Sequence, residues 1–285
     1  MEWFVQTADG RTLAVEDAGD RAGRPVLVHV GTPNSRHLYG RTVADATARG
    51  LRLISYDRPG YGESTPQPGR AMADCASDVR AICTALGIDR LAMWGLSGGG
   101  PHLLACAALL PDLVTAAASL CSPAPYEAEG LDWFAGFSPA AVDEVRLMFD
   151  DPAAARATFE EERQHYLATS PAELARELQA HSPHADLAFL TEEAACMQQA
   201  LAAGIEGSWD DCVAQVTPWG FDLAGISVPV LLLHGRQDKS VPVGHGEWLA
   251  ARIPGVEARL LDNEGHGTLR ENRIGDVHAW LTERS

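Results

Sequence analysis

Short, mostly apolar runs recur along this chain, and helix-like stretches separate them. The runs are PVLVHV at 25–30, LRLISY at 51–56, LAMW at 91–94, VTAAASL at 114–120 and PVLLL at 229–233. A strand with one wet face alternates polar and apolar residues, so runs this uniformly apolar read as strands buried on both faces. The stretches at 41–49, 73–86 and 99–110 read as the helices between them. Parallel neighbours cannot be joined by a tight turn, so repeated strand–helix–strand units imply a mostly parallel, doubly wound α/β sheet. Two further runs, at 3–5 and 13–15, flank the turn pair Asp9-Gly10, which predicts an antiparallel hairpin at one sheet edge.

The pattern breaks after residue 122. From about 126 to 215 no strand is expected, and the stretches 139–149, 152–168, 171–180 and 187–203 read as amphipathic helices. Three of them open with proline, which suits a first helical turn. From Val228 the β/α pattern resumes, with a helix expected at 246–252, a strand at 257–261 and a closing helix at 272–282. The expected organisation is a core of residues 1–122 and 219–285 carrying a helical insertion at 123–218.

A chain of 285 residues can bury a substantial core, and 46% hydrophobic with 21% charged residues is the balance of a globular protein. Its formal charge of −17 opposes binding to nucleic acid or to anionic membranes, both of which it would repel. No run approaches the roughly 20 apolar residues needed to span a bilayer. The start, MEWFVQTADG, has no basic segment leading into a long apolar one, so a cytoplasmic location is expected. The six cysteines form no C-x-x-C pair and read as reduced, mostly buried thiols. His181, His184 and Asp186 lie on a proline-broken stretch that matches no tight zinc spacing, so neither metal nor cofactor is expected.

Chemistry concentrates in GLSGGGP at 95–101, between a predicted strand and a predicted helix. A phosphate-binding P-loop needs Lys followed by Ser or Thr after its glycines, and Pro101-His102 stand there instead. The dinucleotide pattern G-x-G-x-x-G fails as well, because Leu103 fills its last place. Gly95-Leu96-Ser97-Gly98-Gly99 does satisfy G-x-S-x-G in the strand–turn–helix context that motif requires. A serine on a sharp turn needs small neighbours, and a nearby helix N-terminus favours developing negative charge. The serine also needs a base and a group to orient that base. His266, in the glycine-flanked loop Asn263-Glu-Gly-His-Gly-Thr268, follows the last predicted strand. Asp238 follows the strand at 230–233. Both belong at the C-terminal sheet edge with Ser97, in the chain order Ser, Asp, His expected of such a sheet.

With these residues in view, the chain resembles the α/β-hydrolase fold superfamily over nearly all of 1–122 and 219–285. His29-Val-Gly31-Thr32-Pro33 resembles the family's oxyanion loop after the third strand. Asp57-Arg-Pro-Gly60-Tyr-Gly62-Glu-Ser64 resembles its D-x-x-G-x-G-x-S segment after the fourth. The resemblance implies that the insertion is a cap and that the backbone N–H groups of Thr32 and Gly98 form an oxyanion hole. Asp57 would brace loops. Val30 stands where the family has its glycine directly after histidine, which turns His29 to the other side of its strand. Serine as nucleophile disfavours the epoxide hydrolases and haloalkane dehalogenases, which use Asp there.

The implied activity is hydrolysis of a small to medium carboxylic ester through an acyl-enzyme. Lactone, thioester or carbon–carbon bond hydrolysis, acyl transfer, lyase chemistry and small-ligand reception are open on the same triad. Leu96, Arg36 and His37 are candidate pocket residues, the last two for a polar group of the small-molecule substrate. The aromatic residues Trp133, Phe137 and Trp209 either line an apolar pocket or form the cap's own core. The sequence specifies no oligomeric state.

Overall fold

The computed structural model describes residues 1–181 and 184–284. Its sheet has eight strands: β1 (Glu2–Gln6), β2 (Thr12–Gly19), β3 (Arg24–His29), β4 (Leu51–Tyr56), β5 (Leu91–Leu96), β6 (Val114–Leu120), β7 (Val230–Gly235) and β8 (Glu257–Leu261). They lie in the order β1-β2-β4-β3-β5-β6-β7-β8. β2 runs antiparallel to both β1 and β4, and every other pairing is parallel. The hairpin around Gly10 therefore forms the edge, as its turn signal predicts.

Helices cover both faces, which accounts for the absence of alternation in the central strands. On one face α1 (Gly40–Ala48) and α10 (His266–Thr282) pack on Val26, Val28, Trp94 and Leu231. On the other, α2 (Cys75–Leu86), α3 (Gly99–Leu109) and α9 (Val243–Ala250) pack on Leu27, Ile54, Met93 and Leu232. Burying a leucine or valine side chain this completely is worth about 1.5–3 kcal/mol.

Between β6 and β7 stand α4 (Pro139–Asp150), α5 (Pro152–Ala168), α6 (Pro171–His181), α7 (Leu187–Leu201) and α8 (Glu206–Val216), with no strand among the described residues there. Side chains of Ser138, Asp151 and Asp186 accept from the free N–H groups of α4, α5 and α7, which fixes those helix starts. Helix α8 falls in the stretch expected to be helical, although none of the four predicted helices covers it. One expectation needs correction: His266, expected in a loop, is the first residue of α10. No described helix is long and apolar enough to cross a membrane.

Parallel register puts His29 beside Gly95, Gly95 beside Ser119, Leu120 beside Leu233 and Gly235 beside Leu261. The loops after β3, β5, β6, β7 and β8 therefore open at one edge of the sheet. Thr32, Ser97, Asp238 and His266 sit in or beside these loops.

Candidate active site

Ser97 follows the last residue of β5 with φ of 52°, a left-handed conformation that costs an L-residue roughly 1–2 kcal/mol. The surrounding chain enforces it. A Cβ on Gly95 would lie 2.8 Å from the Gly99 carbonyl oxygen, and one on Gly99 would run into the carbonyl oxygens of His29 and Val30. The turn thus requires glycine on both sides of the serine. Ser97 N–H donates to the Leu120 carbonyl at 2.8 Å, which ties the turn to the end of β6. Its hydroxyl is half-buried and makes no hydrogen bond among the described residues.

The loop after β3 closes over the turn. A Cβ built on Gly31 would lie 3.7 Å from Ser97 Cβ, and one on Gly98 would sit 3.5 Å from Thr32 N. Thr32 and Gly98 are thereby neighbours beside Ser97. Neither backbone N–H has a hydrogen-bond partner among the described residues. Two backbone N–H groups without a partner among the described residues thus belong to residues that adjoin a serine in left-handed conformation.

Asp238 lies in the loop after β7, fully buried. Its Oδ1 accepts from Ser240 N at 2.9 Å and Val241 N at 2.8 Å, and its Oδ2 bonds His266 Nδ1 at 2.7 Å. Burial pushes the Asp238 carboxyl up, but His266 and the Val241 N–H outweigh it and hold the group below the usual carboxylate range. For His266, burial pulls the imidazole down while Asp238, by charge and hydrogen bond, more than offsets it, leaving it above its ordinary value. The His266–Asp238 bond is formed, while none joins Ser97 to His266 among the described residues.

Cys121, directly after β6 with φ of 48°, brings its thiol beside this pair: Cys121 Sγ and ligand atoms of Asp238 and His266 all lie within 4.8 Å of one another. Burial, with the Asp238 charge adding to it, pushes that thiol well up, so it sits there protonated. The candidate metal cluster of the sequence includes His181, whose side chain, like Ser182 and Pro183, lies outside the described residues.

Leu96 is buried in the sheet layer facing α10, among Trp94, Leu120 and Leu269, because the side chain before the turn points into the core and not across the sheet edge. Arg36 is occupied by carboxylates: it bonds Asp57 at 2.5 Å and pairs with Glu2 and Glu63. Asp57 in turn accepts from Arg36 N and Glu63 N, as a loop brace would. His37 stands between Glu16 at 3.7 Å and Glu192 at 3.5 Å. Arg36 and His37 line a cavity of about 330 Å³ whose walls include none of Ser97, Asp238 or His266. Trp133 stacks on Phe137 at 5.2 Å and packs edge-on to His245, its indole N–H held by the Ala124 carbonyl. Trp209 is covered by Phe159 and by the Arg156 guanidinium. Trp133 and Phe137 thus pack on each other and on His245 of the core, while Trp209 packs within the insertion.

Sequence reasoning missed a buried polar cluster centred on Asp211. Asp211, on α8, is buried and accepts from Thr32 Oγ1 at 2.9 Å, Tyr61 OH at 3.0 Å, Arg58 Nε at 3.0 Å and Arg70 Nη2 at 2.6 Å. His102 Nε2 lies 3.2 Å away. Burial pushes this carboxyl up, yet Arg58 and Arg70 hold it well below the usual range. No local pattern announces such a residue, since its partners come from four other places in the chain.

Comparison with known proteins gives a consistent result. The family model described as "alpha/beta hydrolase fold" matches residues 24–272. The chain is 29% identical over 279 residues to a non-heme chloroperoxidase from Streptomyces lividans, covering 93% of each. It is 27% identical to a bifunctional esterase/perhydrolase from Acinetobacter calcoaceticus, covering 84% of this chain and 83% of the relative. Among solved structures, an esterase from Exiguobacterium antarcticum superposes with a TM-score of 0.73 at 21% identity, covering 99% of both chains.

Proposed function

The chain belongs to the alpha/beta hydrolase fold family, and from that premise we propose that it is a serine hydrolase of small to medium carboxylic esters. One observation carries the reading: a serine held in left-handed conformation, flanked by Thr32 and Gly98 whose backbone N–H groups are unpaired among the described residues, stands at the sheet edge where His266 is bonded to Asp238. The names of relatives that include an esterase add to it.

In this reading Ser97 Oγ attacks the acyl carbonyl and His266 Nε2 takes its proton. Asp238 holds the imidazole by Nδ1, fixing the tautomer that leaves Nε2 free. Charge developing on the carbonyl oxygen is received by the N–H groups of Thr32 and Gly98, each worth about 3 kcal/mol in the barrier. The alcohol leaves with the proton held by His266. Water, activated by the same imidazole, then cleaves the acyl-enzyme and returns the serine. The missing Ser97–His266 bond is of the kind that tightens when substrate enters an empty site. The helices between 123 and 218 serve as a cap over this edge, and no cofactor or metal is required.

Replacing Ser97 by Ala should abolish turnover of p-nitrophenyl esters, and a fluorophosphonate should label Ser97 in the parent enzyme. Activity of the variant within about tenfold of the parent would overturn the assignment.

A further inference from the structure

Gly31 C=O and Thr32 N–H belong to one peptide unit, and that unit is trans. In a trans peptide the two groups point in opposite directions, so whatever holds the carbonyl aims the N–H. Arg58 holds it: Nη2 donates to Gly31 O at 2.9 Å, and Nη1 donates to the preceding carbonyl, Val30 O, at 2.6 Å. A cation at the carbonyl oxygen also draws electron density from the amide and makes its N–H a stronger donor.

Arg58 is itself buried, and what fixes it is Asp211. One carboxylate oxygen takes Arg58 Nε at 3.0 Å and Nη2 at 2.5 Å, and the same oxygen accepts the Thr32 hydroxyl. Residues 179 positions apart in the chain thereby meet over the oxyanion loop. Burying an ion pair this deep is a poor way to gain stability, because desolvating two charges offsets most of their attraction. A positional role accounts for it better. Tyr61 also bonds Asp211 but has no hydrogen bond to the loop.

We propose that Arg58 is a positioning residue that aims the Thr32 N–H at the oxyanion, and that Asp211 on the inserted helix α8 holds Arg58 and Thr32 in that geometry. The proposal rests on the reading of Thr32 as an oxyanion donor. It makes the insertion a structural part of the oxyanion hole as well as a cover.

The test uses Arg58→Lys, Asp211→Asn and Tyr61→Phe in the full chain, each compared with the parent at equal folded fraction by circular dichroism. With p-nitrophenyl butyrate, Arg58→Lys and Asp211→Asn should lower kcat by about tenfold or more, with KM within about threefold. A trifluoromethyl ketone, whose adduct with a serine places an oxyanion in the same site, should lose affinity by the same factor. Tyr61→Phe should stay within about twofold on both readouts. Should Arg58→Lys fail to fold, Asp211→Asn and Thr32→Val carry the test. Unchanged kcat in the folded variants, an equal loss in Tyr61→Phe, or lost kcat without lost ketone affinity would each overturn the proposal. If Ser97→Ala keeps its activity or Ser97 resists fluorophosphonate, the serine reading fails and takes this one with it. If Ser97 behaves as proposed and only the Arg58 and Asp211 outcomes fail, the positioning role alone is lost.

Discussion

At the scale of single residues, the pair His266 and Asp238 makes a pH prediction with a definite sign. In its proposed role as base the imidazole must be neutral, and Asp238 holds it above its ordinary value of 6.5 against the pull of burial. kcat/KM should therefore rise with pH and level off above an apparent pKa higher than 6.5. In Asp238→Asn burial acts without the opposing charge, so the midpoint should move down, while activity falls about 10³- to 10⁴-fold through loss of the correct tautomer. Profiles with coincident midpoints would remove Asp238 from its role. Ser97, Asp238 and His266 were legible because each stands just after an apolar run, and the glycines that clear space for Ser97 are its sequence neighbours. Leu96, the last residue of β5, turns its side chain into the layer facing α10, a direction that only the packed sheet assigns.

At the scale of elements, the proline-opened helices α4, α5 and α6 could be read because their starts carry local signals. Helix α8 could not. Its N-cap, Ile205, offers no side-chain hydrogen bond, Gly207 lies in its first turn, and its buried residues include Ser208, Asp210 and Asp211, so it shows no apolar stripe. It packs tightly nonetheless. A Cβ on Gly207 would lie 2.6 Å from Tyr61 Cγ and 2.8 Å from Gly60 C. Gly207→Ala should destabilise the fold by about 1–3 kcal/mol, lowering the urea midpoint at constant m-value. A midpoint equal to the parent's would mean that the seam between α8 and the loop after β4 has slack.

For the whole molecule, the buried charges tie stability to pH. The Asp211 carboxyl is held well below 3.8 in the folded state, so its contribution is present above that pH and is lost as pH falls through the folded value. Thermal unfolding followed downward from about pH 5 should fall more steeply below pH 3.8 for the parent than for Asp211→Asn, which has no proton to take up there. Equal slopes would mean that the network contributes nothing to acid stability.

The sequence by itself determined the strands, the edge at which they end and the order of serine, aspartate and histidine along that edge. Each of these follows from short-range rules: an apolar run buries, a glycine permits a turn, a helix or loop begins where the run stops. The tertiary structure decided which buried charges meet. Arg58 and Asp211 stand 153 residues apart and become partners only when the insertion folds back onto the sheet edge. There the loss of water forces each to find an opposite charge, and the Gly31–Thr32 peptide lies between them.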